Sequence, residues 1–310
     1  MAWTPQDIPD QTGRVAVITG GNGGLGLVSA HELARAGAHV VLAARDQDKA
    51  RAAEARIHER NPDASTEIVP LDLGSLASVA RAAEAIQAAH ERVDLLLNNA
   101  GLMAMPRRST DDGFEQQFGV DHLGHFALTA HLLPALLRAE AARVVTVTSV
   151  ARFAGGPVHP ADPHLTRGYG PWRAYARAKW ANYHFGLGLQ QRFDRVGVAA
   201  ASLLAHPGLS NTDLQARTVR EGGAGWLGAI SEVLAQRNGM TPNEGARPQL
   251  RAATDPHARG GELYAPRYGS SGPAVRRPLL RRWDLQRRID ELWAVSQRET
   301  DVLLDVAAAR

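Results

Sequence analysis

The chain has 310 residues, 44% of them hydrophobic and 22% charged, so it can bury a large core in one α/β domain or two smaller ones. Its 35 Lys and Arg against 32 Asp and Glu leave a formal charge of +3; the basic residues are spread out, and their densest stretch, 276–288, reads as a solvated helix flank rather than a nucleic-acid surface. The absence of cysteine excludes disulfides, thiolate metal sites and cysteine nucleophiles, while a polar start through Gly13 and no apolar run of membrane length predict a soluble cytoplasmic protein with no membrane partner.

From Arg14 onward, short β-branched runs alternate with alanine-rich stretches of helical spacing. Strands are expected over 15–19, 39–43, 66–71, 93–97, 144–148, 196–203 and 262–265, and helices near 25–36, 47–59, 75–89, 111–138, 173–193, 227–237 and 284–305. Crossovers of that size require parallel neighbours. Nothing resembling a linker interrupts the pattern before Leu203, which predicts one domain spanning 1–310. Residues 213–283 are rich in Gly, Pro and Arg and predict loops, a short helix and the last strand.

The first strand runs into Thr19-Gly20-Gly21-Asn22-Gly23-Gly24-Leu25-Gly26 and then directly into a helix. Glycines there allow a tight turn and a close backbone approach to a pyrophosphate facing the helix amides. Two registers fit, one on Gly21, Gly23 and Gly26 and one on Gly20, Gly24 and Gly26. At the end of the second strand Arg45 suits a ribose 2′-phosphate, favouring NADP over NAD, with Asp46 close enough to serve a 2′-hydroxyl instead.

Downstream come Asp72, Asn98-Asn99-Ala100-Gly101, Ser149, Tyr175-x3-Lys179, Pro207-Gly208 and Thr212, in that order. With the glycine turn read on Gly20, Gly24 and Gly26, these residues resemble the short-chain dehydrogenase/reductase superfamily. The runs Ala44-Arg45-Asp46, Asp112-Gly113-Phe114-Glu115 and 118–126 are similar to bacterial retinol dehydrogenase-like and protochlorophyllide reductase-like members. The resemblance implies a single Rossmann-type, doubly wound parallel sheet of about seven strands flanked by helices. Residues 13–212 would form the cofactor and catalytic core, and 213–310 a small substrate lobe with the lid, last strand and C-terminal helix. It implies cofactor contacts from Gly20, Asn22, Gly24, Leu25, Gly26, Asp72, Leu73, Asn99, Ala100, Gly101, Pro207, Gly208 and Thr212. A homodimer or homotetramer is implied through the helices holding Asp121 and Tyr175.

Tyr175 and Lys179 fall on one helix face. A free phenol titrates at about 10, so work near neutrality needs a cation beside it, which Lys179 supplies. Tyr175 would then exchange a proton with a carbonyl or alcohol oxygen that Ser149 positions. Relatives usually carry asparagine, tied to a water-linked proton relay, where this chain has Asp121. A carboxylate there would pair with Lys179 and change its charge balance, or be harmless if only the backbone carbonyl matters. His122 and His125 beside it are read as packing or hydrogen-bonding residues, and no metal is expected; His206 is unassigned. Phe153, Val158 and Trp172, with Leu214, Trp226 and Leu227, suggest either a roomy pocket for a lipophilic carbonyl or alcohol or simply a sealed C-terminal lobe. A cofactor-binding regulatory or scaffold protein that has lost turnover is the alternative function.

Overall fold

Strands that read as apolar on both faces occupy the middle of one sheet with helices on either side. The structure, a computed structural model, describes residues 2–209, 240–279 and 283–310. In chain order, β1 (Val15–Thr19), α1 (Gly24–Arg35), β2 (His39–Ala44), α2 (Gln47–Arg60), β3 (Ser65–Pro70), α3 (Leu76–Ala89) and β4 (Leu95–Asn98) form the first half. After them come α4 (Gln116–Phe118), α5 (Gly124–Arg138), β5 (Arg143–Val147), α6 (Arg152–Gly155), α7 (Pro171–Val196) and β6 (Ala201–Ala205). Two strands, β7 (Leu263–Pro266) and β8 (Ala274–Arg277), complete an eight-stranded sheet of order β3-β2-β1-β4-β5-β6-β7-β8. All pairings are parallel except β7 with β8. The order reverses between β1 and β4, where doubly wound sheets open a crevice at the carboxyl ends of their strands.

Alternation along the strands divides the core into two layers. Val17, Val41, Leu96 and Val144 face Phe118, Phe126 and Phe185, whereas Ala16, Ile18, Val40, Leu42 and Val145 face Ala30, Leu33 and Leu250. The C-terminal helix Leu285–Thr300 seats Ile289, Leu292 and Trp293 in the first layer, where the Trp293 ring stacks on Phe185 at 5.6 Å. It is therefore part of the sheet's core packing as well as of the chain's last segment.

The structure departs from the sequence expectations in five places, the first being the C-terminal helix: expected over 284–305, it ends at Thr300, where Asp301 takes a left-handed φ of 52°. The helix expected over 111–138 starts only at Gln116, because the Glu115 carboxylate accepts from Gln117 N at 2.9 Å and Phe118 N at 2.8 Å. That helix is then interrupted by a wide π turn, Gly119–Leu123, in which Gly124 N–H donates to the Gly119 carbonyl. The strand expected over 196–203 begins at Ala201: α7 continues through Val196 and stops at Gly197, whose φ of 71° provides the left-handed cap. An eighth strand, antiparallel β8, and a helix, Arg247–Thr254, arise in the Gly-, Pro- and Arg-rich region where periodicity was weak. The helix expected over 227–237 lies outside the described residues. Among the described residues, no helix is long and apolar enough to cross a membrane.

Candidate active site

The glycine turn lies between β1 and α1, and α1 starts after Gly23 with no side chain capping its free amides. A Cβ on Gly26 would collide with the Gly20 carbonyl and come within 2.7 Å of Asn99 Nδ2, so turn, helix and the loop after β4 can approach this closely only with glycine there. Thr19, the last residue of β1, joins these pieces. Its hydroxyl accepts from Asn99 N at 2.9 Å and Ala100 N at 3.0 Å, and its carbonyl accepts from Asn99 Nδ2 at 2.9 Å. Leu25 is half-buried in α1, and Asn22 Nδ2 reaches the Asp46 carbonyl at 3.5 Å.

At the ends of β2 and β3, the Arg45 guanidinium stands 3.7 Å from the Asp72 carboxylate, with Arg45 more than half exposed. Asp46 caps α2, accepting from Lys49 N at 3.1 Å and meeting Lys49 Nζ at 3.2 Å. Asp72 Oδ1 accepts from Gly74 N at 2.9 Å, and Leu73 is buried. Pro207 and Gly208 follow β6 at the same end of the sheet; Thr212 lies outside the described residues.

The long helix α7 carries Tyr175 and Lys179 on one face, both buried, with Lys179 Nζ 5.6 Å from the Tyr175 ring centre. Ser149 lies just past β5, its Oγ accepting from Ala151 N at 3.2 Å, and its side chain acts on the phenol of Tyr175 to lower its pKa. Lys179 Nζ meets Asp121 Oδ2 at 3.0 Å, and Asp121 Oδ1 accepts from Leu102 N at 2.6 Å. Asp121 sits in the π turn with no solvent exposure. The Thr148 hydroxyl donates to the Lys179 carbonyl at 2.8 Å, tying β5 to α7 beside Ser149. Met103, Ala104, Ala151 and Trp172 form an apolar wall around Tyr175, and Ala104 holds a left-handed φ of 49° within it.

Burial pushes the Tyr175 phenol above its ordinary value and Asp121 adds to the push, while Lys179 and the Ser149 hydrogen bond pull the other way. Lys179 is held high: burial disfavours its charge, but Asp121 and Tyr175 outweigh that. The cation expected beside Tyr175 is present, but Asp121 shares its charge.

Residues 14–222 match the model of the short chain dehydrogenase family. The chain belongs to this family. It is 39% identical over 302 residues to mouse (Mus musculus) polyprenol dehydrogenase, covering 96% of this chain and 86% of that protein. With human (Homo sapiens) retinol dehydrogenase 13 it shares 40% identity over 206 residues, 66% of this chain and 62% of that one. A crystal structure from Mycobacterium paratuberculosis superposes with a TM-score of 0.79 at 38% identity, over 98% of this chain and 99% of that chain. One from Beutenbergia cavernae, with NADP bound at low occupancy, gives a TM-score of 0.65 at 26% identity over 83% and 96%. The chain is thus an NAD(P)-dependent oxidoreductase of the short chain dehydrogenase family.

Within that family's frame, the structure gathers Gly20, Gly24, Gly26, Arg45, Asp72, Asn99 to Gly101, Asp121, Ser149, Tyr175, Lys179 and Pro207 around the carboxyl ends of the strands. It removes Val158 from the pocket: that residue is 2% exposed and belongs to the main core, because the insert folds back onto the sheet. Phe153 is exposed with the Arg152 guanidinium over its ring at 4.2 Å; Leu214, Trp226 and Leu227 lie outside the described residues.

Sequence reasoning missed a positioning link. His125 Nδ1 donates to the Asp121 carbonyl at 3.0 Å, which leaves Nε2 to accept the Thr19 hydroxyl proton at 2.9 Å. Since Thr19 and His125 are 106 residues apart, no local spacing reveals it. His122 faces away from the site: Ser296 Oγ donates to the Leu292 carbonyl at 2.8 Å, so His122 Nε2 donates to Ser296 Oγ at 2.8 Å.

Burial lowers His122 to about 3 and His125 to about 4, so both are neutral in the folded chain. Unfolded histidines bind a proton near 6.5, so the unfolded state takes up more protons below that pH and stability falls as the pH drops from about 6.5 toward about 4. Between pH 6.5 and 5 each contributes a loss of about 2 kcal/mol. Urea unfolding at pH 7 and pH 5 should show it, and His122→Gln, which still donates to Ser296 but cannot titrate, should shrink the acid loss by about that amount.

Proposed function

We propose that this chain is an NADP-dependent dehydrogenase/reductase of a lipophilic alcohol or carbonyl compound, with Tyr175 as the proton-exchanging group. The observation that carries this reading is the grouping of half-buried Ser149 with buried Tyr175 and Lys179 at the carboxyl ends of the strands, next to the glycine turn. The uncapped start of α1 and the backbone approach allowed by Gly26 suit a dinucleotide pyrophosphate. When bound, the nicotinamide supplies or accepts the hydride.

Tyr175 Oη gives its proton to the substrate oxygen in reduction and takes the hydroxyl proton in oxidation. Ser149 Oγ holds that oxygen in place, and Lys179 stabilises the phenolate. Asp121 is a positioning residue, fixing Lys179 through its carboxylate. Arg45 is exposed and has room for a 2′-phosphate, whereas Asp46 is engaged as the cap of α2, which favours NADP. The apolar wall of Met103, Ala104, Ala151 and Trp172, and the polyprenol and retinol dehydrogenases among the relatives, favour an isoprenoid or similarly lipophilic substrate.

Tyr175→Phe should lower turnover of an isoprenoid alcohol or aldehyde by about 10²–10⁴ while NADPH titration stays near the parent value; near-parental turnover would remove Tyr175 from the chemistry. Arg45→Ala should weaken NADPH roughly tenfold to a hundredfold and leave NADH almost unchanged, read by nucleotide fluorescence. Because Asp121 raises Tyr175, Asp121→Asn should move the Tyr175 limb of the kcat/KM profile to lower pH; superimposable profiles would show that the carboxylate has no part in tuning the pair.

A further inference from the structure

Away from the crevice, His39 at the start of β2, Glu67 on the edge strand β3 and His90, which ends α3, converge on one face of the sheet. The register explains the meeting. His39 pairs with Ser65 and Val41 with Glu67, so the side chains at 39, 65 and 67 point to the same side, the side covered by α3. His90 Nε2 lies 2.7 Å from Glu67 Oε1, His39 Nε2 lies 3.9 Å from the same oxygen, and one ligand atom from each residue falls within 4.8 Å of the others.

A hydrogen-bonded cluster accounts for the His90 to Glu67 contact but not for His39. The His39 Nδ1 is taken by Ser65 Oγ at 2.7 Å, which orients the ring, while Nε2 is buried, aimed at the cluster and without a hydrogen-bond partner. A ring nitrogen fixed by an outer hydroxyl, with its other nitrogen turned inward, is the usual arrangement of a metal-bound imidazole. A tetrahedral zinc ion with bonds of about 2.0–2.1 Å places its ligand atoms about 3.3 Å apart, and the 2.7 and 3.9 Å separations bracket that distance.

We propose that His39, Glu67 and His90 bind a zinc-class divalent cation, with water completing the coordination. The donor set of two imidazoles and a carboxylate selects zinc, nickel or copper over magnesium or calcium. The cation would cross-link β2, the edge strand β3 and the end of α3, at a place where hydride chemistry has no use for it.

The test uses the tag-free chain stripped of metal and titrated with Zn²⁺ against a chromophoric zinc chelator, with Co²⁺ as a visible-absorption probe. One equivalent should bind with micromolar affinity and raise the thermal midpoint. His39→Ala, His90→Ala and Glu67→Gln should each weaken that equivalent by at least about tenfold and alter the cobalt spectrum. NADPH titration of the same variants reports that the fold is intact, and Glu67→Gln, nearly isosteric, serves if an alanine variant does not fold. Absence of a micromolar equivalent, or equal affinity in parent and variants, would overturn the proposal and assign any bound zinc to the ten histidines outside the cluster, 12 in the chain less His39 and His90.

Discussion

A carboxylate with no solvent exposure lies against a buried ammonium, and the architecture around the crevice depends on that contact between Asp121 and Lys179. Removing two charges from water is costly, and a buried pair stays favourable only when its geometry and remaining hydrogen bonds are good. Here Asp121 also receives the Leu102 amide at 2.6 Å, so the π turn, the loop after β4 and α7 are held at one point. That point leaves no spare volume: a Cβ on Gly101 would lie 3.1 Å from Lys179 Nζ and 3.3 Å from both Asp121 oxygens. Taking away one partner would strand the other charge in the interior, a loss of about 3–5 kcal/mol.

The same contact sets the electrostatic balance at Tyr175. Burial holds the proton on the phenol, while Lys179 and Ser149 favour its release. Asp121 offsets part of the lysine's influence. In the proposed chemistry the free protein therefore carries the proton that carbonyl reduction consumes, and oxidation depends more heavily on a further positive charge nearby.

The inner strands were legible because buried parallel strands are continuous apolar runs, and β1, β2 and α1 to α3 follow the expected spans within a residue or two at most ends. Order along the chain also brought Ser149, Tyr175 and Lys179 into one neighbourhood, since strand ends in such a sheet line a shared crevice. What escaped was set by tertiary contacts. A π turn has no periodic signature, and glutamate is not among the side chains that usually cap a helix, so the cap Glu115 gives Gln117 and Phe118 had no sequence signal. Val196 and Val198 flank Gly197 with strand-like side chains, yet helix packing takes the first of them and glycine ends the helix. His125 looked like one helix histidine among others, because its meaning depends on Thr19 across the sheet.

Antiparallel β8 has a consequence for how the molecule meets others of its kind. A sheet edge presents unpaired amides and carbonyls that can template another strand. β8 occupies the outer side of β7 with Arg276 and Arg277 exposed on opposite faces of the sheet, Arg276 held by Glu262 at 2.8 Å. Strand-to-strand addition along this border would have to crowd like charges together and desolvate them. The border is thereby guarded against extension of the sheet from one molecule into the next.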